Sequence, residues 1–298
     1  MKLLVLGGNG QVGFELLRAL KPLGEVVATT RTGVLEDGTP CEVADFDQPQ
    51  TLAALVDRIA PDVVVNAAAW TAVDKAETEQ AAAARANAEA PAVLARACAA
   101  RGALLVHYST DYVFPGDGSV PYREDDATAP LGVYGATKLA GEDAIRASGA
   151  RHMIFRTAWV YAARGGNFLR TMLRVGAQRD QLGVVADQVG TPTPAWLIAD
   201  ATAAAIANTG GKSGTWHLTA SGVTSWHGFA EAIFADAVQR GLLERAPHVA
   251  AITTAEYPTP AKRPAYSCLD NTRFQHDFGF KLPQWEAGLQ HVMGELSA

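Results

Sequence analysis

Residues 3–13 read LLVLGGNGQVG, and in them an apolar run leads directly into a turn with four glycines. This order predicts a buried strand that ends in a tight turn and continues into a helix. Glycines at such a turn let the backbone approach the pyrophosphate of a dinucleotide, whose charge meets free N–H groups at the helix start. The sequence therefore predicts a dinucleotide site that includes Gly7, Gly10, Gln11, Val12 and Gly13.

The first half of the chain alternates short Val/Leu-rich runs with Ala/Leu-rich stretches typical of helices. The predicted strands are 2–7, 25–30, 62–68 and 103–110. Because their apolar residues are continuous, these strands should be buried on both faces, which favours an α/β fold with a doubly wound parallel sheet. After about residue 155 the alternation loosens, and we expect the proline-rich last fifty residues to be irregular.

The composition excludes several classes of protein. A hydrophobic content of 48% with 19% charged residues is typical of a globular chain. The net charge of −6 and the lack of a basic run argue against nucleic-acid binding, and no apolar run is long enough to cross a membrane. The three cysteines and seven histidines lack the spacing of a metal site. We expect a cytoplasmic protein without a metal.

The end of the second predicted strand bears on the choice of cofactor. An acidic residue about twenty positions after the glycines would bind the ribose 2′-hydroxyl of NAD. Here the strand ends Thr29-Thr30-Arg31, and Arg31 is able to meet a 2′-phosphate unless it only points into solvent. This favours NADPH, with NADH possible but less favoured. Asp45 and Phe46, after the expected third strand, are candidates to hold and cover the adenine.

Tyr134 and Lys138 form a Y-x-x-x-K motif in a stretch with a helical pattern, so that the two side chains share one helix face. A nearby ammonium is expected to lower the pKa of a tyrosine, which is about 10 in a free peptide. Ser109 or Thr110, at the end of the preceding strand, can hydrogen-bond the oxygen that Tyr134 protonates. Together with a nicotinamide, these groups predict reduction of a carbonyl.

These residues resemble those of the extended short-chain dehydrogenase/reductases, and more closely those of the dTDP-4-dehydrorhamnose reductase family. The similar stretches cover nearly the whole chain and are 7–13, 66–77, 107–116, 129–142, 155–161, 167–173, 187–193 and 257–264. The resemblance implies an NADP-binding Rossmann domain over residues 1–155, with a returning segment near 195–220. It implies that residues 156–298 form mainly a smaller α/β substrate-binding domain.

The resemblance also implies an activity, namely reduction of the 4-keto group of dTDP-4-dehydro-β-L-rhamnose by NADPH to give dTDP-L-rhamnose. Tyr134 would be the proton donor, Lys138 its helper and Thr110 the hydroxyl that positions the substrate. The implied cofactor contacts also include Ala67, Ala68, Ala69 and Tyr108. The implied contacts to the dTDP-4-keto sugar also include Asp111, Trp159, Asn167, Lys262 and Arg263.

Two departures from related proteins narrow these expectations. Thr110-Asp111-Tyr112 stands where the sugar-nucleotide dehydratases carry Thr-Asp-Glu, so dehydration lacks one of its proton carriers. The alternatives are another nucleotide-sugar reductase or epimerase, or a non-catalytic subunit that resembles the regulator of methionine adenosyltransferase.

Some relatives form dimers through a metal that is bridged by glutamates. Glu15 and Glu295 are present here, but Trp196 stands where a further acid is expected. We expect no metal bridge and a monomer or weak homodimer.

Overall fold

Seven parallel strands form the central sheet of the protein, whose structure is a computed structural model that describes residues 1–297. In chain order the strands are β1 Lys2–Leu6, β2 Glu25–Thr30, β3 Glu42–Val43, β4 Val63–Asn66, β5 Leu104–Thr110, β6 His152–Thr157, β7 Val160–Tyr161, β8 Gln181–Val185, β9 Val189–Gly190, β10 Thr193–Pro194, β11 Gly214–His217, β12 Thr224–Ser225 and β13 His248–Ile252. The α-helices are α1 Gln11–Ala19, α2 Thr51–Ile59, α3 Val73–Ala76, α4 Gln80–Ala84, α5 Ala90–Arg101, α6 Val133–Ala147, α7 Phe168–Gly176, α8 Ala195–Ala207, α9 Trp226–Gln239, α10 Thr272–Phe278 and α11 Trp285–Ser297.

The strand order of the central sheet is β3-β2-β1-β4-β5-β6-β11. The chain begins in the middle at β1, builds outward through β2 and β3, and returns to the other side with β4, where Leu6 pairs with Asn66. In such sheets ligands bind outside the carboxyl ends of the strands at the point where the order reverses. The predicted doubly wound α/β fold is confirmed.

Two apolar layers cover the sheet, one on each face. Leu3 and Val5 of β1 belong to the layer formed with α1 and α8, whereas Leu4 and Leu6 belong to the layer formed with α2 and α5. All four side chains are fully buried. Burial of a leucine or valine side chain stabilises a fold by about 1.5–3 kcal/mol, so a strand buried on both faces is a rigid support for the loop that follows it.

The glycine turn after β1 is shaped by two close approaches of the backbone. Gly7 has a φ of +86°, a conformation that glycine adopts without strain. A Cβ added to Gly13 would lie 2.0 Å from the Gly7 carbonyl oxygen, so that only glycine lets α1 pack directly on the end of β1. As predicted, the strand passes through this turn into a helix.

The second half of the chain adds a strand and a helix to the layers around the central sheet and also packs two of its own helices together. β11 pairs with β6 at the edge of the central sheet, and α8 packs on α1. α7 packs on α9, whose N-terminus is capped by Ser225, which accepts from the Gly228 N–H at 3.0 Å. Residue 155, the expected domain boundary, lies inside β6, because that strand continues to Thr157.

The expectation that the last fifty residues are irregular is wrong. They contain α10 and α11 as well as most of β13. The prolines of this segment are confined to positions 258, 260, 264 and 283, so the sequences beyond them are free to form helices. In α11 the side chains of Trp285, Leu289, Val292 and Met293 are buried at helical spacing. Of the helices in residues 1–297, none combines the length and apolar character needed to cross a membrane.

Candidate active site

A cleft of about 740 Å³ lies at the carboxyl ends of β1, β4 and β5. Its walls include many of the residues singled out from the sequence: Gly7, Gly10, Gln11, Val12, Ala67, Ala68, Ala69, Tyr108, Thr110, Asp111, Tyr134, Lys138, Trp159 and Arg263. The glycine turn and the Y-x-x-x-K motif are more than 120 residues apart in sequence, yet they line the same cleft.

One end of the cleft is the N-terminus of α1. Gly10 precedes the helix and supplies no side-chain cap, so the first-turn N–H groups are left without a capping side chain beside the cleft. Gln11 and Val12 line the cleft, while Gly13 packs against β1 instead. The positive end of the helix dipole and the exposed N–H groups fit a pyrophosphate.

A second cavity of about 430 Å³ continues from this end and shares Gly7, Gly10 and Ala68 with the cleft. Arg31, Asp45 and Phe46 line it. The Arg31 side chain is exposed, so its guanidinium is available to a ligand.

The predicted acid near the adenine has a local role in this second cavity. Asp45 accepts from the Asp47 N–H at 3.0 Å and from the Gln48 Nε2 at 3.2 Å, so its carboxylate holds the turn that carries Phe46. Phe46 is only partly buried, which leaves part of its ring free to cover a planar group.

Tyr134 lies in the first turn of α6, with the ring of Tyr112 edge-on at 5.6 Å. Burial raises the pKa of the Tyr134 phenol to about 12, although a hydrogen bond with the Thr110 side chain lowers it in part. The expectation that Lys138 lowers this pKa is therefore wrong for the structure described. Desolvation dominates, and the phenol is protonated at neutral pH.

Lys138 is 2% exposed, one turn further along α6. Its Nζ donates to the Tyr108 carbonyl oxygen at 2.5 Å and lies 3.5 Å from Nε2 of His107. Burial lowers the pKa of Lys138 to about 8, and the charge of Glu142 opposes this shift. An amine with a pKa near neutrality exchanges protons readily.

A buried ion pair holds α6 against the sheet. Glu142 on α6 accepts from Arg156 on β6 at 2.7 Å and 3.0 Å, and both side chains are almost inaccessible. Since Glu142 is one turn beyond Lys138, this pair fixes the helix face that carries the motif.

Asp111 follows β5 and is 2% exposed. Its Oδ1 accepts from the Thr110 hydroxyl at 2.8 Å, whereas its Oδ2 has no hydrogen-bond partner within the chain as described. Desolvation raises the pKa of Asp111 to about 6, with hydroxyls of Ser267 and Thr110 opposing the shift. A buried carboxylate oxygen without a partner is costly, which is typical of a group that meets a ligand.

Trp159 forms another wall of the cleft. It is one of two non-glycine residues with positive φ among residues 1–297, at +49°, a strained backbone conformation. Its indole is stacked on that of Trp226 with ring centroids 3.5 Å apart. Trp226 also lines the cleft. Sequence reasoning missed Trp226, because a tryptophan after an N-cap serine has no pattern of its own.

All 298 residues match the model of the family described as RmlD substrate binding domain. The chain belongs to this family. The dTDP-4-dehydrorhamnose reductase of Shigella flexneri is 48% identical to it, over 99% of this chain and 98% of that one. These matches confirm the resemblance found in the motifs.

Two solved structures are similar over the whole length of this RmlD-family chain. A dTDP-4-dehydrorhamnose reductase from Clostridium acetobutylicum has a TM-score of 0.90 at 37% identity and covers 100% of both chains. The enzyme of the same name from Bacillus anthracis, solved in complex with NADP, has a TM-score of 0.87 at 32% identity and covers 99% of both.

Three of the expected substrate contacts differ in their placement in this RmlD-family member. Arg263 lines the cleft but is paired with Asp74, with its Nη1 and Nη2 at 2.9 Å and 3.0 Å from the carboxylate oxygens. Lys262 is exposed and is not among the residues that line the cleft. Asn167 caps α7, and its amide donates to the Gln11 side chain at 2.8 Å, so it joins the N-termini of α7 and α1.

The two glutamates considered for a metal bridge each lie beside a basic side chain, which for Glu295 is His291 at 3.5 Å. Glu15 accepts from Arg18 at 3.3 Å, and Arg18 also pairs with Asp200 at 2.8 Å. Trp196 packs on His291 with ring centroids 4.5 Å apart. Among residues 1–297, no three or more His, Cys, Asp or Glu side chains are grouped so that they could hold a metal ion.

Proposed function

We propose that the protein reduces the 4-keto group of dTDP-4-dehydro-β-L-rhamnose with NADPH and releases dTDP-L-rhamnose. The observation that carries this proposal is the single cleft that joins a dinucleotide turn to Thr110, Tyr134 and Lys138. The relatives named dTDP-4-dehydrorhamnose reductase support the choice of substrate. A substrate of this kind would occupy the cleft between the motif and Trp159.

The residues present fit a dinucleotide with a 2′-phosphate. Gly7 and Gly10 line the cleft where the pyrophosphate would lie, and the exposed Arg31 lines the cavity expected for the adenosine half. The Bacillus anthracis relative was solved with NADP. NADPH bound in this way would supply the hydride.

Tyr134 and Lys138 of the Y-x-x-x-K motif would supply the proton that the substrate oxygen needs. The Tyr134 phenol is protonated at neutral pH, because its pKa is raised to about 12, and it would donate its proton to the substrate's O4. Thr110, close to this phenol and fixed by its hydrogen bond to Asp111, would orient the same oxygen. Lys138 would return a proton to Tyr134, since its ammonium has a pKa near 8.

The direct test is a coupled assay that follows NADPH absorbance with the dTDP-keto sugar. Tyr134→Phe should lower kcat by about a hundredfold or more, because general acid catalysis typically contributes factors of that order. The Kd of the Tyr134→Phe variant for NADPH should remain within about twofold of the wild-type value. Tyr257→Phe, at an exposed position outside the cleft, is the matched control and should keep full activity. Full turnover in Tyr134→Phe would overturn the assignment.

The role of Arg31 is tested by cofactor preference. A charge-assisted contact to phosphate contributes about 1.5–3 kcal/mol, so Arg31→Ala should lower kcat/KM for NADPH by roughly 10- to 100-fold. The value for NADH should hardly change, because NADH lacks the 2′-phosphate. An equal decrease in kcat/KM with both cofactors would show that Arg31 does not contact the 2′-phosphate.

We also propose the domain division stated above, a cytoplasmic location and a monomer or weak homodimer that does not bind nucleic acid. The negative net charge and the pairing of Glu15 with Arg18 support the last two points. Light scattering coupled to size-exclusion chromatography, over a range of protein concentrations with and without EDTA, tests the oligomeric state. A stable dimer that EDTA dissociates would contradict it.

A further inference from the structure

The inference concerns a buried histidine beside the motif and rests on the proposed function of Lys138. We propose that His107 is a positioning residue that presents an imidazole N–H to the amine of Lys138 and so favours release of the lysine's proton during turnover. His107 lies on β5, where its side chain is 1% exposed.

The imidazole is held between two partners. Its Nδ1 lies 3.0 Å from the Asn66 Nδ2, at the end of β4. Its Nε2 lies 3.5 Å from the Lys138 Nζ on α6. These two contacts, from opposite sides of one ring, leave His107 without access to solvent.

The neighbouring backbone determines which nitrogen carries the proton. The Asn66 Oδ1 accepts from the Ala68 N–H at 3.2 Å, so the amide NH₂ group of Asn66 must face the imidazole. An NH₂ group only donates, and the Nδ1 of His107 must therefore be an acceptor. Burial and the charge of Lys138 hold the pKa of His107 well below its ordinary value, so the ring is neutral and carries one proton. That proton is on Nε2 and faces Lys138.

An N–H directed at Nζ distinguishes the two forms of the lysine. The neutral amine has a lone pair that can accept from Nε2–H, whereas the ammonium has only donors. Two other groups favour the ammonium: the carbonyl of Tyr108, which accepts from Nζ, and the charge of Glu142. The phenol of Tyr134 shares the helix face but is neutral. His107 therefore favours the neutral amine of Lys138, whereas Tyr108 and Glu142 favour the ammonium.

The ease with which Lys138 releases its proton matters for ketone reduction. When the phenol of Tyr134 gives its proton to the substrate oxygen, a phenolate remains. The ammonium of Lys138 then loses a proton to restore the phenol, and solvent returns a proton to the amine. An ammonium that releases its proton readily speeds this replacement, because proton transfer is most efficient when the donor's pKa lies near the working pH.

The kinetic test uses two variants that remove the N–H in different ways. His107→Gln can turn its carbonyl oxygen towards Lys138. Asn66→Asp keeps the imidazole but moves its proton to Nδ1, which leaves Nε2 as an acceptor. Because both stabilise the ammonium, the alkaline limb of the kcat profile should move at least one pH unit upward, with a several-fold lower kcat at pH 7. His248→Gln, at an exposed position, should have the wild-type profile. An unmoved limb in both variants overturns the proposal.

A second measurement does not depend on turnover. In the NADP⁺-loaded protein, ¹⁵N spectra should show His107 protonated at Nε2 and not at Nδ1. The ¹³Cε titration of Lys138, assigned with Lys138→Met, should move to higher pH in His107→Gln. A proton on Nδ1 of the wild-type ring, or an unchanged titration, would refute the inference. Wild-type protein that fails to oxidise NADPH with the dTDP-keto sugar would instead refute the proposed function, and the spectra would still decide the role of His107.

Discussion

Replacing Asp111 with asparagine should change how the stability of the protein depends on pH. The carboxyl is buried, and desolvation raises its pKa from an ordinary value of 3.8 to about 6. The folded state therefore binds this proton more tightly than the unfolded state does. The stabilisation is present below the unfolded value and is lost as pH rises towards the folded value. One pKa unit corresponds to about 1.4 kcal/mol, so the loss is roughly 2–3 kcal/mol.

Asparagine does not titrate, so the variant lacks the pH-dependent stabilisation that the Asp111 carboxyl contributes. The free energy of unfolding of Asp111→Asn minus that of the wild type should rise by roughly 2–3 kcal/mol between about pH 3.5 and pH 7. Urea unfolding at several pH values measures the difference, and the contributions of all other groups cancel. The amide NH₂ can leave an unpaired donor at the Oδ2 position, but that cost does not depend on pH. A difference that is flat across this range would refute the reasoning.

Three further substitutions test separate parts of the site. Gly13→Ala should raise the Kd for NADPH at least about tenfold in a fluorescence titration, because its Cβ would force α1 away from β1; unchanged affinity would contradict the role of the turn. Glu142→Ala should destabilise the protein by about 3–5 kcal/mol in urea, since the charge of Arg156 stays buried without a carboxylate partner, and a loss below about 1 kcal/mol would contradict this. Gly190→Ala places a Cβ 2.5 Å from the Trp159 ring and should raise KM for the sugar nucleotide while leaving NADPH binding unchanged.

The first half of the fold could be predicted from the sequence because its signals are local. Continuous Val/Leu runs such as 62–68 and 103–110 contain the observed strands β4 and β5. The turn after β1 was readable because glycine is the residue that permits a close backbone approach. The i, i+4 spacing of Tyr134 and Lys138 placed both on α6, and the structure brings them into the cleft with the turn.

What the sequence did not reveal depends on contacts between distant segments. Trp226 joins the site only because the fold stacks it on Trp159, which is 67 positions earlier in the chain. Asp74 pairs with Arg263, so the charge of this expected substrate contact is already partly neutralised by the chain itself. The pKa of Tyr134 was misjudged for the same kind of reason, because the number of groups packed around a phenol cannot be inferred from the spacing of one motif.

Burial also orders the titrating groups of the site in the direction that reduction requires. Every residue of β5 is buried, and the acid that follows it shares that environment. Desolvation favours the neutral form of each group, which raises the pKa of Tyr134 to about 12 and lowers that of Lys138 to about 8. The phenol therefore has its proton at neutral pH, and the lysine is an acid of moderate strength able to replace it. Exposed versions of the same two side chains would have nearly equal pKa values of about 10, with no such preference for which group donates and which resupplies.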